Sequence, residues 1–319
     1  MLLIGLMAEH LAMFDAWYFA MIPALSQDST ALTNYSHIDL HSHSNVSDGL
    51  LTPAELVQHA AAHGLKVLAL TDHDDVAGLD EARQAAASHG LQLINGVEIS
   101  VTWRRRTLHI VGLGIDPEYP PLVEGLRQIR AGRRTRAEGM AASLQKAGIE
   151  GSLEGAYRYA RKGIISRTHF ARFLIEQGYA SEMRKVFKRY LVKGKPGYFE
   201  HHWASLEDAL GWIVNSGGTA VIAHPGRYDL GRPSMLELME EFRALGGKAI
   251  EVVTGSHTEA QYQEFARLAK LFGLQASQGS DYHGQGLSYM EMGRLPPLPA
   301  GCVPVWQDWP ALAAEQGQR

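Results

Sequence analysis

The stretch "LKVLALTDHDD", residues 65–75, begins as a run of strand-forming apolar residues and ends in an imidazole among three carboxylates. An apolar run of this length reads as a strand buried on both faces. Its polar end then lies at the carboxyl edge of a sheet. The same pattern recurs in "YSHIDLHSH" (35–43), "TAVIAHPG" (219–226) and "LQASQGSDYHG" (274–284). Helical patterns separate these strands. "TPAELVQHAAAHG" (52–64) carries Thr52 as a cap, Pro53 in the first turn, Glu55 three residues after the cap and Gly64 at the end. "GLDEARQAAASHG" (78–90) also closes on glycine. "LQLINGVEISVTW" (91–103) and "TLHIVGLGI" (107–115) read as a hairpin joined by "RRR". After a long helical stretch from about 121 to 195, the alternation resumes through "KAIEVVTG" (248–255).

Alternating βα units predict an α/β fold with a parallel sheet, and active sites of such folds lie outside the carboxyl ends of the strands. An open doubly wound sheet is the alternative. A barrel accounts better for polar groups that come from many strands, because its mouth brings them together.

At 319 residues the chain is long enough for one large α/β domain, or a main domain with an insert. The single cysteine, Cys302, excludes a disulfide framework and a thiolate zinc site and suits a reducing cytoplasm. Any metal must be held by His, Asp and Glu. Residues 1–35 are apolar, but they lack a basic leader, and Glu9, His10 and Asp15 interrupt them. No apolar run approaches the roughly 20 residues that span a bilayer. We read 1–35 as an extension, with a signal peptide or a start site placed too early (Met7, Met13 and Met21 follow) as alternatives. The expected organisation is a barrel over 36–120 and 196–310, a helical insert over 121–195 and a tail over 311–319.

The formal net charge is -4, yet residues 121–200 hold 17 Lys and Arg against 7 Asp and Glu. That segment is at +10 and the remainder at -14. Such asymmetry suggests an anionic partner for the basic segment, with solvated helix surface as the plain alternative.

His41 and His43 are two apart on a strand and share a face. Asp48 follows one loop later, and His73 ends the next strand. Glu98 and His109 lie in the two hairpin strands, His224 ends a strand, and Asp281 and His283 are again two apart. His59, His63, His89, His201, His202 and His257 read as ordinary structural or exposed histidines. The other set differs because its members stand at successive strand ends beside carboxylates. Nine ligands exceed the four to six bonds of one ion, so two or three clustered metals are implied, with Glu98 as a natural bridge. Imidazole and carboxylate ligands suit manganese, zinc or iron. Clustered divalent ions imply hydrolysis: they make hydroxide available at neutral pH and stabilise the attacking and leaving oxygens. Asp72 is a candidate to orient a metal-bound imidazole from behind, or a capping carboxylate.

Taken together, "DLHSHS" (39–44), "SDG" (47–49), "TDHD" (71–74), "GVEIS" (96–100), "LHIVG" (108–112), "AHPGRY" (223–228) and "GSDYH" (279–283) resemble the motifs of the polymerase and histidinol phosphatase (PHP) superfamily of metal phosphoesterases, over about residues 37–310. "GSLEGAYR" (151–158), "SRTHFARFLIEQG" (166–178) and "VFKRYLVKGKPGY" (186–198) resemble the subgroup of 3′,5′-nucleoside bisphosphate phosphatases and the 5′→3′ exoribonuclease RNase AM (TrpH-like). The resemblance implies a distorted (β/α)7 barrel with a helical insertion and a centre of three divalent ions, usually manganese. Its nine ligand positions are filled by His41, His43, Asp48, His73, Glu98, His109, His224, Asp281 and His283. Departures are Asp75, neutral in many relatives, and the N-terminal extension.

The resemblance also implies that the segment Arg133, Arg134, Thr135 and Arg136, together with Arg167, binds the non-reacting phosphate of a nucleotide, and that Asp74 contacts substrate. Guanidinium suits phosphate through paired hydrogen bonds. Arg127, Arg130 and Arg134 fall at helical spacing. One geometry then serves two activities. A 5′-phosphate is held while the phosphate on O3′ is cut. A 3′,5′-bisphosphate gives a 5′-mononucleotide, and 5′-phosphorylated RNA is shortened 5′→3′. Lys185, Lys188, Arg189, Lys193 and Lys195 read either as a track for RNA or as solvated surface. Expected partners are 5′-phosphorylated RNA or oligoribonucleotides and 3′,5′-bisphosphonucleotides, with no membrane, in the cytoplasm. The alternatives are a phosphatase of another small metabolite such as histidinol phosphate and a non-catalytic metal-binding domain.

Overall fold

The structure is a computed structural model and describes residues 36–160 and 164–309. The N-terminal extension and the C-terminal tail expected from sequence lie outside the described residues. Seven strands form one sheet in chain order: β1 Ile38–Asp39, β2 Val67–Leu70, β3 Gln92–Trp103, β4 Arg106–Leu113, β5 Thr219–Ile222, β6 Ala249–Thr254 and β7 Gln275–Gly279. β4 runs antiparallel to both neighbours, and all other pairings are parallel. The sheet curls into a nearly closed barrel. The Leu40 amide donates to Gln278 (3.0 Å), the Asp281 amide donates to His41 (2.9 Å), and Ser42 bridges Tyr282. Gly279 permits this approach, since a Cβ there would stand 2.2 Å from the Cβ of His41. The fold is therefore a (β/α)7 barrel distorted by the reversed β4.

Local chemistry explains the elements. Helix α1 (Pro53–Ala62) starts on the predicted capping box of Thr52 and Glu55, with Pro53 in its first turn. α2 (Leu79–His89) ends on Gly90 in the left-handed conformation. The β3–β4 turn sets Arg104 and Arg105 at positive φ, which matches the twist of a two-residue hairpin. β2 and β6 are buried throughout, as both-face coverage demands.

Between β4 and β5 no described residue forms a strand. This interval holds α3 (Pro120–Lys146), α4 (Ser152–Ala160), α5 (Arg167–Glu176), the short α6 (Met183–Val186) continuing into a π-helical turn, and α7 (Leu206–Asn215). α4 to α6 and the second half of α3 enclose their own core around Leu144, Phe170, Phe173 and Leu191. The first half of α3 packs Leu122, Leu126 and Ile129 into the barrel core. α8 (Arg232–Ala244) and α9 (Glu259–Phe272) complete the outer layer. No helix among the described residues is long and apolar enough to cross a membrane.

Candidate metal centre and arginine pocket

The nine predicted ligand residues meet at the barrel mouth in three overlapping groups. The first is His41, Glu98, His224 and Asp281; the second is His43, Asp48, His73 and His283; the third is His73, Glu98 and His109. In the first, Nε2 of His224 is 2.8 Å and Nε2 of His41 3.4 Å from Oε1 of Glu98. In the second, Nε2 of His283 is 3.1 Å from Oδ1 of Asp48. In the third, Nδ1 of His109 is 2.9 Å from Oε1 of Glu98, and Nδ1 of His73 is 2.8 Å from Oε2. Glu98 thus stands at the junction of two groups and His73 at another. Most of these side chains follow a strand end, which aims them at the mouth; Glu98 and His109 face it from inside β3 and β4.

Several observations fit a polynuclear cation site. Nε2 of His41 lies 3.1 Å from Nε2 of His43, so imidazole nitrogens of two neighbouring groups meet at the mouth. His43 Nδ1 and His224 Nδ1 are buried with no hydrogen-bond partner. Each such atom costs about 1–3 kcal/mol if nothing compensates it. His224 and Asp281 also hold positive φ, +29° and +56°, a strain that clusters at functional sites.

Electrostatics follow from the same packing. Burial disfavours the charge of Asp48, yet His283 and His73 overcome it and hold the carboxyl well below the usual range. Glu98 is likewise desolvated but held low by His109, His73 and His41. Burial and neighbouring His283 push His43 down to about 3. His283, despite its burial, is raised to about 9 by Asp48 and Asp281. The centre is a dense set of carboxylates and imidazoles with ionised oxygens.

Of the two roles expected for Asp72, its contacts match the capping carboxylate. Among the described residues it pairs with no imidazole: it accepts from the Ser44 amide (2.8 Å) and from the hydroxyls of Ser44 and Ser47 (both 2.6 Å). It therefore braces the loop that carries Asp48. The carboxylate behind an imidazole is Glu251, buried in β6, which accepts from Nδ1 of His41 (2.6 Å) and from the His224 amide (2.5 Å). A charged residue inside the apolar strand "KAIEVVTG" was its available signal. Arg227, from "AHPGRY", was also missed; its Nη1 donates to Oδ2 of Asp281 (2.6 Å). Ser166, in turn, donates to Oδ2 of Asp48 (2.9 Å) and ties the start of α5 to the centre.

A cavity opens beside the centre, lined by Asp48, His73, Asp281 and His283 on one side and by Arg133, Arg136 and Arg167 on the other. Arg133 is buried on the α3 stripe that includes Ile129 and Ala137. Its Nε donates to Oδ2 of Asp74 (2.7 Å), and Nη2 donates to the Ser100 hydroxyl (2.9 Å). Asp74 is itself buried and accepts from the Ser100 amide (2.6 Å), so its carboxylate faces Arg133 and Ser100 and does not line the cavity. Arg136 and Arg167 are half-buried and, among the described residues, pair with no carboxylate. Trp203 underlies Arg133 and Arg136 at 5.0 and 5.2 Å, and Phe187 underlies Arg167 at 5.7 Å. Burial lowers the pKa of both guanidinium groups, and repulsion adds to it, from Arg167 and Arg133 at Arg136 and from Arg227 and Arg133 at Arg167.

The predicted stripe of Arg127, Arg130 and Arg134 is not the face that meets the site. Arg127 pairs with Glu124 in solvent, Arg130 donates to the Asp74 carbonyl (2.9 Å), and Arg134 and Thr135 are exposed outside the cavity. The buried face of α3 sets this phase and selects Arg133 and Arg136. Lys185, Lys188, Arg189, Lys193 and Lys195 are exposed.

Comparison with known proteins agrees with this geometry. A family model described as the PHP domain matches residues 39–255. A 3′,5′-nucleoside bisphosphate phosphatase of Chromobacterium violaceum is 53% identical over 274 residues, 86% of this chain and 96% of that protein. The 5′-3′ exoribonuclease Rnm of Escherichia coli strain K12 is 46% identical over 280 residues, 87% of this chain and 95% of that protein. A solved structure from Chromobacterium violaceum, described as an amidohydrolase with bound sulfate and no metal, superposes with a TM-score of 0.83 at 53% identity, covering 88% of this chain and 96% of that one.

Proposed function

This chain belongs to the PHP domain family, and we propose that it is a metal-dependent phosphoesterase that cuts the phosphate on O3′ of a 5′-phosphorylated nucleotide. Its substrates are 3′,5′-nucleoside bisphosphates, which yield 5′-mononucleotides, and 5′-phosphorylated RNA, which it degrades 5′→3′. Relatives of both names, at 53% and 46% identity over most of the chain, support this pair of substrates. The observation that carries the reading is the juxtaposition in one cavity of the His/Asp/Glu centre and two guanidinium groups that, among the described residues, pair with no carboxylate.

The residues that would hold metal are His41, His43, Asp48, His73, Glu98, His109, His224, Asp281 and His283, and the reading takes three divalent ions, manganese first. When bound, such ions supply an activated water nucleophile and neutralise charge on the phosphate. The remaining work falls to the protein. Arg136 and Arg167 bind the 5′-phosphate through charge-assisted hydrogen bonds. Arg133, fixed by Asp74 and Ser100, forms the rigid floor of that pocket, and the Trp203 and Phe187 rings limit the paths of the guanidinium groups. Arg227, anchored on Asp281, stands at the cavity wall where the reacting phosphate would lie. Glu251 fixes the His41 ring and the His224 backbone, so these two groups need no reorganisation when the substrate arrives. The helical segment 121–195 thus acts as a substrate-contacting insert on the barrel.

Adenosine 3′,5′-bisphosphate tests which phosphate is held. With manganese, the products should be 5′-AMP and inorganic phosphate. Formation of 3′-AMP would place the 5′-phosphate at the reacting centre and overturn the assignment of the arginine pocket.

A further inference from the structure

A second cluster of donors lies outside the cavity. His59 and His63 are i and i+4 at the end of α1, and with Glu291 they place three potential ligand atoms within 4.8 Å of one another. We infer that His59, His63 and Glu291 form a surface site for one borderline divalent ion of the zinc class, separate from the buried centre.

Five features make this more than two neighbouring histidines. Nδ1 of His63 donates to the His59 carbonyl (2.8 Å), which fixes its tautomer and leaves Nε2 free as a ligand. A backbone carbonyl behind the imidazole is the arrangement that metal-binding histidines use. Nε2 of His59 lies 2.8 Å from Oε1 of Glu291, so an ion binds there by displacing one shared proton to solvent. Glu291 is also held by the Met292 amide (2.9 Å). Finally, the turn that carries Glu291 is clamped onto the end of α1. Gly293 lies at φ +69°, and a Cβ there would stand 2.3 Å from the His63 carbonyl oxygen. The stacking of the His59 ring on Tyr282 (5.1 Å, 21°) fixes the remaining ligand. Two imidazoles at i and i+4 plus one carboxylate give the His2Glu donor set of an open tetrahedral zinc site, with solvent in the fourth position.

The full-length protein, stripped with chelator and equilibrated by dialysis against buffered Zn2+, provides the test, with metal measured per chain. His63→Ala and Glu291→Gln should each bind one zinc fewer than the unaltered protein, while manganese-stimulated phosphate release, assayed without zinc, stays unchanged. Glu98→Gln, which disturbs the buried centre, should still lose one zinc more when His63→Ala is added. Equal zinc content with and without His63, in both backgrounds, would overturn the surface site whatever the outcome for the buried one. His63→Ala is open to solvent on its imidazole side; Glu291→Gln preserves the shape of the turn and guards against misfolding as the cause of the loss.

Discussion

Arg133 on α3 donates from Nε to Oδ2 of Asp74 across 2.7 Å, although 59 residues separate the two in sequence. Both side chains are buried, at 6% and 0% exposure. The pair joins the helical segment to the barrel at the loop after β2, so the phosphate pocket and the metal centre share one rigid wall. In the proposed function, Asp74 would act on the nucleotide through Arg133. Removing one partner of a buried ion pair costs about 3–5 kcal/mol. Asp74→Asn, which keeps the shape and loses the charge, should lower the melting temperature and raise KM for 5′-phosphorylated substrates by roughly tenfold, since about 1.4 kcal/mol of lost binding gives that factor. Thermal unfolding and steady-state kinetics check both.

Arg136 and Arg167 should behave differently from Arg133, because no carboxylate is left unpaired when they are removed. Arg136→Ala and Arg167→Ala should each raise KM for 3′,5′-bisphosphates by roughly 10- to 100-fold, in line with about 1.5–3 kcal/mol for a charge-assisted hydrogen bond. Stability should hardly change. Arg134→Ala, on the exposed side of α3, should change neither quantity.

Glu251 should control metal retention without touching substrate. Outer partners of ligating histidines typically account for 10- to 100-fold in metal affinity. Glu251→Gln should lose manganese by about that factor in equilibrium dialysis, and excess manganese should restore much of its activity. Loss of activity at full manganese occupancy would assign Glu251 a different role.

His257 should make the fold sensitive to mild acid. Burial lowers its pKa to about 4, against an ordinary value of 6.5. Its Nε2 accepts from the Gly226 amide (2.9 Å), and Nδ1 donates to the Val252 carbonyl (3.1 Å), so the folded state holds it neutral. A histidine with a depressed folded pKa favours the unfolded state as pH drops below 6.5, and the loss is complete near pH 4. The size is about 3 kcal/mol, from 1.36 kcal/mol per pKa unit. Denaturant melts of the unaltered protein and of His257→Gln should therefore converge between pH 7 and pH 4, because only the former carries this penalty.

Much of the fold was legible because α/β order is written in local signals. The Thr52–Glu55 box, Gly90 and the two-residue hairpin turn at Arg104 each mark an element boundary that the structure reproduces. The convergence of the nine predicted ligand residues was legible for a related reason: strand ends in a barrel meet at one mouth, so spacing along the chain predicts proximity in space. What was hidden depends on phase and partner. The sequence left open which side of α3 faces the barrel, and the apolar stripe chose Arg133 and Arg136 over Arg134. Asp72 and Glu251 are both buried carboxylates near the site. Only three-dimensional contact tells that the first braces Ser44 and Ser47 and the second His41.

In the proposed function, a pocket for the 5′-phosphate sits beside a metal centre that cuts at O3′. A time course on one oligoribonucleotide, with a 5′-phosphate or a 5′-hydroxyl and with manganese present, tests it most directly. 5′-Mononucleotides should be released stepwise from the phosphorylated end, with little turnover of the 5′-hydroxyl form. Equal rates for the two, or release from the 3′ end, would contradict it.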